Sequence, residues 1–359
     1  DPIKNPADPR LIKQFGAQLC LKHRVLPWRS MAGRITVLAP SPEHFLRVRD
    51  ALVVVFGPVN LAIVTNEHLD SALSKMCHKT LMQNAEFRTA EHESCRDWDA
   101  GKAARWGGAT AFIILACLIM WPTVSFFILC GWAVFTLFLN TILKVAAAFI
   151  HLFPKHIPPP AANPQLAHLP IVTILVPLFR ERDIAGALVQ RLSRLDYPTD
   201  RLDVCLVLEA DDATTQEALD KTDLPYWMRA IKVPLGMLQT KPRALNYALS
   251  FAKGSIIGVY DAEDAPAPDQ IKVVVNRFAQ RGPDVACLQG RLDFYNSHSN
   301  WLARCFTIEY ATWFRLILPG LERLGLAIPL GGTTLFFRRE ILEELGGWDA
   351  HNVTEDADL

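Results

Sequence analysis

The chain has 359 residues, enough for two or more domains with separate cores. Its 37 lysines and arginines balance 37 aspartates and glutamates, so net charge gives no support to nucleic-acid binding. Half of the residues are hydrophobic and mean hydropathy is +0.15. Both are high for a purely soluble protein and assign part of the chain to lipid.

Eight cysteines are scattered without C-x-x-C pairs, which favours reduced thiols in a cytosolic setting over a disulfide framework. A zinc site could be assembled from Cys77-His78 and His92-x-x-Cys95, but adjacent Cys-His is a poor chelating geometry. The thiols are therefore read as ordinary surface or core groups. The chain opens at Asp1 without a methionine or signal peptide and stops three residues after Thr354-Glu355-Asp356, so it is read as a fragment.

Residues 1–100 read as a small αβ unit. Ile35–Leu38 and Val59–Val64 are β-rich runs. Ser41-Pro42-Glu43 opens a helical stretch to about Val55, with proline in the first turn. Asn66 is expected to cap a further helix carrying Leu69, Leu73 and Met76 on one face.

Between Arg105 and Lys144 lie 38 residues without a charge, too many for one span of about 20 and suited to two. Trp121-Pro122-Thr123 falls near the middle, where proline separates two helices. Residues 104–153 are thus expected to form two transmembrane helices. Cations on both flanks (Lys102, Arg105; Lys144, Lys155) put both flanks in the cytoplasm. Residues 154–168, with Pro158–Pro160 and Pro164, form a stiff linker.

From 169 to 359 the pattern is α/β. Short apolar strands at Val172–Val176, Val204–Leu208, Arg229–Val233 and Ser255–Tyr260 alternate with helical stretches near 183–195, 213–221, 241–253 and 268–281. That alternation predicts a mostly parallel sheet covered on both faces. Ligands of such sheets collect beyond the strand C-termini. Three acidic groups fall there: Glu181, the cluster Glu209-Ala-Asp211-Asp212, and Asp261-Ala-Glu263-Asp264. Lys241-Pro-Arg243 opens a helix, where cations are unfavourable unless an anion such as phosphate offsets them. Gly331-Gly332 would let a ligand approach the backbone closely. Trp301–Pro319 spaces apolar and aromatic residues by three to four with arginines between, as in a helix lying in the membrane interface.

In this order the motifs resemble family 2 glycosyltransferases of the membrane-embedded, cellulose-synthase-like kind. That resemblance implies a GT-A, Rossmann-like catalytic domain and inverting transfer of a sugar from a nucleotide donor, a UDP-sugar, to a growing polysaccharide. Asp261 and Glu263 fall on the family's D-x-D motif, which holds a divalent cation (Mg2+ or Mn2+), with glutamate in place of the second aspartate and Asp264 next to it as an alternative ligand. Glu181, Glu209 and Asp211 fall where the family contacts base and ribose, and Lys241, Arg243 and Asp261 where it meets the diphosphate. Gln289, Gly331 and Gly332 would line the acceptor site. Thr354-Glu355-Asp356 matches the catalytic motif, with Asp356 as base. The implied setting is a bacterial inner membrane, multi-pass, with cytoplasmic soluble domains and no nucleic-acid partner.

Two other readings remain: single-step transfer to a lipid-linked acceptor, and a non-catalytic nucleotide-binding receptor or scaffold. Residues 1–100 also resemble the N-terminal domain of type II secretion ATPases, a module that binds cyclic di-GMP in some relatives. A regulatory nucleotide or a protein is then the implied partner, although no arginine-rich nucleotide motif is present and docking without a ligand is preferred.

Overall fold

The computed structural model describes residues 2–31, 33–153, 169–182, 184–294, 296–354 and 356. The linker expected at 154–168 and Glu355 lie outside the described residues.

In the first part, α1 (Pro9–Phe15) is capped by Asp8 and continues through α2 (Ala17–His23) into the strand β1 (Leu26–Met31). Strand β2 (Arg34–Ala39) pairs antiparallel with β1 and parallel with β3 (Val59–Ile63). The helix expected from Pro42 to Val55 is two helices, α3 (Pro42–Leu46) and α4 (Arg49–Phe56), with Val48 off helical geometry between them. Thr65, not Asn66, caps α5 (Asn66–Met76) by accepting the His68 N–H. The Asn66 side chain is instead turned to Arg24. Helix α6 (His78–Phe87) follows.

The charge-free stretch lies within α7 (Ala100–Met120) and α8 (Pro122–Leu152), separated only by Trp121. Pro122 sits in the first turn of α8, where its missing N–H costs no helical bond. Both helices are apolar enough to cross a membrane and bare of protein along their apolar windows. At 31 residues, α8 exceeds the ~20 needed to span a bilayer. Its end is engaged by protein, with Ala147 buried.

The third part is a six-stranded sheet ordered β6-β5-β4-β7-β9-β8. It comprises β4 (Val172–Leu178), β5 (Leu202–Glu209), β6 (Met228–Val233), β7 (Ile256–Val259), β8 (Cys287–Gln289) and β9 (Leu335–Arg338), with β9 running opposite to the other five. Strands β4 and β5 are buried almost throughout, which is why they read as unbroken apolar runs. Helices α9 (Ile184–Leu192), α10 (Ala213–Asp220), α11 (Lys241–Leu249) and α12 (Gln270–Arg281) make the crossovers. On α12 the buried Ile271, Val274, Val275 and Phe278 follow the helical period.

The expected Trp301–Pro319 helix is present but changes pitch. Helix α13 (Trp301–Thr312) passes into a π-helical turn (Trp313–Ile317) and then α14 (Leu318–Leu324). Pro319 has no N–H to donate, and the preceding Leu318 N–H reaches back to Trp313. No residue of α13 is buried, and Trp301, Leu302, Phe306 and Ile308 are exposed. Helix α14 lies on α8. A side chain on Gly320 would strike the Ala147 backbone, and the Arg323 guanidinium donates to the carbonyls of Ile150, His151 and Phe153 at 3.0–3.1 Å. Helix α15 (Arg339–Glu344) follows β9.

The first and third parts share a core. One apolar cluster runs from Leu26, Leu52 and Leu81 through Leu245, Ala248 and Ile257 to Trp348, and α6 lies along α11.

Candidate active site

The four parallel strands β4, β5, β6 and β7 point their C-terminal ends to one edge of the sheet, where a cavity of about 400 Å³ opens. Phe179 and Glu181 line it after β4, Glu209 at the end of β5, Gln239, Thr240 and Lys241 at the start of α11, and Asp261 and Glu263 after β7.

Asp261 is the centre of this edge. Its carboxylate meets the Lys241 ammonium at 2.9 Å with the aspartate side chain 30% exposed. Its N–H is accepted by Asp264 Oδ2 at 2.9 Å and lies 3.0 Å from Thr333 Oγ1, and the Thr333 hydroxyl donates to the same Asp264 oxygen. Asp264 is thus a brace facing inward. Burial pushes its carboxyl above the usual range, partly offset by the Thr333 hydroxyl and the Asp261 N–H. Glu263 is exposed at the cavity, so of the two carboxylates after Asp261 it is the one open to a ligand.

No cluster of three or more histidine, cysteine or acidic side chains with metal-site spacing occurs among the described residues. Asp261 and Glu263 supply two carboxylates with hard oxygen donors. That donor set fits a Mg2+ or Mn2+ ion whose shell is completed by substrate phosphates and water.

Two expected nucleotide contacts look elsewhere. Arg243 is 0% exposed, its Nε 3.1 Å from Glu86 and Nη1 3.2 Å from Glu209. The expectation that it meets a phosphate is corrected: the anions that offset this cation at a helix start are two carboxylates of the chain itself. Glu209 forms cavity wall, but its carboxylate is committed to Arg243. Burial nevertheless raises the Glu209 carboxyl, with Arg243 pulling it back. Asp211 is exposed and accepts from Gln239 Nε2 at 2.9 Å. Asp212 caps α10 and accepts the Arg180 N–H at 2.6 Å. Burial alone would raise it, but the Thr215 hydroxyl and the Arg180 and Thr215 N–H groups hold it low. Its grip fixes Arg180 in the left-handed region (φ 57°), and Glu181 follows with its N–H on Thr215 Oγ1.

The residues expected on the acceptor side lie together. Gln289 Oε1 takes the Gly331 N–H at 2.7 Å, and its amide nitrogen bonds the Thr333 carbonyl at 3.1 Å. Gln289 therefore shapes the glycine loop from behind. The Gly332 carbonyl accepts from Lys241 at 3.1 Å, tying this loop to the Asp261 edge. Asp356 Oδ2 lies 3.6 Å from the point a Gly332 Cβ would occupy, and a Cβ on Gly331 would fall 2.9 Å from the Phe314 ring. Thr354 is exposed, its N–H and hydroxyl bonded to Asn352. Thr333, Gln239 and Phe314 were not singled out from the sequence. Thr333 stood inside the Gly331-Gly-Thr-Thr motif and Phe314 inside the aromatic stretch Trp301–Pro319, read as an interfacial helix and not as part of the site, whereas nothing local marks Gln239.

A mostly parallel sheet with a cavity at its C-terminal edge is a Rossmann-like α/β fold, and its match to a glycosyltransferase family makes it of the GT-A type. The profile described as Glycosyltransferase like family 2 matches residues 170–359, more than half of the chain, and the chain belongs to this family. Residues 1–83 match the MshEN domain. The beta-monoglucosyldiacylglycerol synthase of Trichormus variabilis is 26% identical over 280 residues, 77% of this chain and 58% of the relative. That of Synechocystis sp. is 28% identical over 278 residues, 75% and 56% respectively. The chain thus spans somewhat over half the length of the curated relatives it matches. The solved mannosyltransferase PcManGT from Pyrobaculum calidifontis, in complex with GDP-Man and Mn2+, is 25% identical over 60% of this chain and 57% of its own, with a TM-score of 0.46.

Proposed function

We propose that the chain transfers a sugar, with inversion, from a nucleoside diphosphate donor to an acceptor at the membrane, and that the donor is a UDP-sugar. The observation that carries this reading is the junction of Lys241 with both Asp261 and the Gly332 carbonyl, beside Asp356. A donor diphosphate along the Asp261 edge would then have its sugar directed at the glycine loop. Asp261 and Glu263 would hold a divalent cation, whose charge would offset that of the leaving diphosphate. Lys241 adds a fixed cation on the same side. Asp356 accepts the acceptor hydroxyl proton as attack proceeds, a step that matters in the transition state and not for donor binding. Glu181, which lines the cavity, and the exposed Asp211, held beside it by Gln239, are the groups proposed for base and ribose.

Two acceptors fit, a growing polysaccharide as in the cellulose-synthase-like members and a lipid. The second is favoured by a run of contacts from the membrane helix to the acceptor loop: Ala147 on Gly320, then the π turn, then Phe314 on Gly331. The glycolipid-synthase relatives agree with it. Lys102, Arg105 and Lys144 support an inner-membrane chain crossing twice with both soluble parts cytoplasmic. Membranes bearing the full protein, given labelled UDP-glucose or GDP-mannose, should yield label in the organic phase. Label retained only in polymer would select the polysaccharide reading, and no incorporation from either donor would contradict transfer.

A further inference from the structure

We infer that Glu86, a residue of the N-terminal part, is a positioning residue for the donor pocket and acts through Arg243 and the loop 234–240. This rests on the cavity at Asp261 being the nucleotide site.

One Glu86 oxygen receives both Arg243 Nε at 3.1 Å and the Met237 N–H at 2.9 Å. The opposite end of the Arg243 guanidinium donates to the Pro234 carbonyl and, at 3.2–3.3 Å, to both oxygens of Glu209. Glu86 and Arg243 therefore hold the loop at two points, Pro234 and Met237. That loop delivers Gln239, Thr240 and Lys241 to the cavity. Gly236 lies between the two points, and a Cβ there would collide with the Glu86 carboxylate and the Arg243 guanidinium.

The arrangement costs something. Three ionisable groups leave water, and such burial is compensated only where geometry and further hydrogen bonds are good. A docking surface could be built from apolar groups, as the shared core around Leu81 and Leu245 already is. The ion group instead sits where Glu209 forms cavity wall and where α11 begins, two residues from Lys241. Loss of Glu86 would leave Arg243 one partner short and the Met237 N–H without its acceptor, and the loop carrying Lys241 would drift from Asp261.

The test is titration of UDP and of GDP, with Mn2+ present, into the detergent-solubilised full protein, alongside donor KM and kcat for nucleotide-sugar hydrolysis. Glu86→Ala should weaken nucleotide binding by roughly three- to thirtyfold, the range that positions in a packed network reach without touching ligand. KM should rise by the same factor and kcat at saturating donor should stay within about twofold. Glu86→Gln, which keeps an acceptor for Met237, should recover part of the loss. Should Glu86→Ala fail to fold, Gly236→Ala strains the same contact from the loop side and should raise KM alike. Binding and KM within about twofold of wild type in a folded variant, with only the unfolding temperature lowered, would overturn the inference. Wild-type protein that binds neither nucleotide would sink the donor-site reading, and the inference with it.

Discussion

The two edges of the six-stranded sheet use the same residue types in opposite ways. At the N-terminal edge, Asp203 on β5 is paired with Arg229 at 3.0 Å and Lys253 at 3.4 Å, and its side chain is 4% exposed. Asp70 of the N-terminal part joins them, 3.0 Å from Arg229 and 2.6 Å from Arg24, and Thr173 adds a hydroxyl at 2.9 Å. At the C-terminal edge, Asp261 and Lys241 form one pair at 2.9 Å, each about 30% exposed, over an open cavity. The first set is closed on itself and welds two parts of the chain together. The second keeps oxygen atoms in reach of a ligand. Strand direction decides which is which, because the helices that follow parallel strands present their N-termini at the C-terminal edge.

The largest effect expected at the open edge is on turnover. Asp356→Asn should bind UDP nearly as wild type does yet transfer sugar at least about a hundredfold more slowly, in line with general-base contributions of 10²–10⁴. Near-normal transfer would remove Asp356 from the mechanism.

The closed edge should respond in the other currency. Asp203→Ala leaves Arg229 and Lys253 short of a buried anion, a loss of about 3–5 kcal/mol, read as a lower denaturant midpoint with nucleotide affinity retained. Burial would raise the Asp203 carboxyl, but Arg229, Lys253 and Thr173 hold it below the usual range. Its stabilisation is therefore complete above the unfolded value of about 3.9 and is lost as pH falls from there through the lower folded value. Unfolding midpoints measured from pH 6 to 3 should decline more for wild type than for Asp203→Asn. Equal slopes would show that Asp203 is not the group being titrated.

How much of this was legible in the sequence follows the same division. Parallel strands announce themselves as apolar runs, and the acidic groups after β4, β5 and β7 were visible as a set. Asp261, Glu263, Lys241, Gln289, Gly331 and Gly332 all stand at one edge. Arg243 misled, since a cation opening a helix calls for an anion but does not say which. Glu86, 157 positions away, carries no local mark. Strand β1 was missed because Leu26–Met31 contains proline and arginine and is buried only at its start, its last three residues being exposed. The split of the helix after Pro42 and the π turn before Pro319 are settled by tertiary packing and a missing N–H, which periodicity does not register.

Smaller effects refine the contrast. Gly320→Val would wedge α14 off Ala147 at a cost of roughly 1–3 kcal/mol, lowering transfer to a membrane-held acceptor while nucleotide affinity is kept. Transfer unchanged by that wedge would detach the acceptor site from α8. Least of all, Glu263→Asp should retain more cation-dependent UDP affinity than Glu263→Ala, and equal affinities would exclude Glu263 as a cation ligand in favour of other groups.

The open edge as donor site is tested most directly by titrating UDP and GDP into wild type and Asp261→Asn, each with Mn2+ and with a chelator, and recording the unfolding temperature of both. Wild type should bind one nucleotide more tightly with the cation present, and Asp261→Asn should lose that dependence without a fall in unfolding temperature. Binding of equal strength in all four titrations would contradict the assignment of Asp261 and its edge to the donor diphosphate.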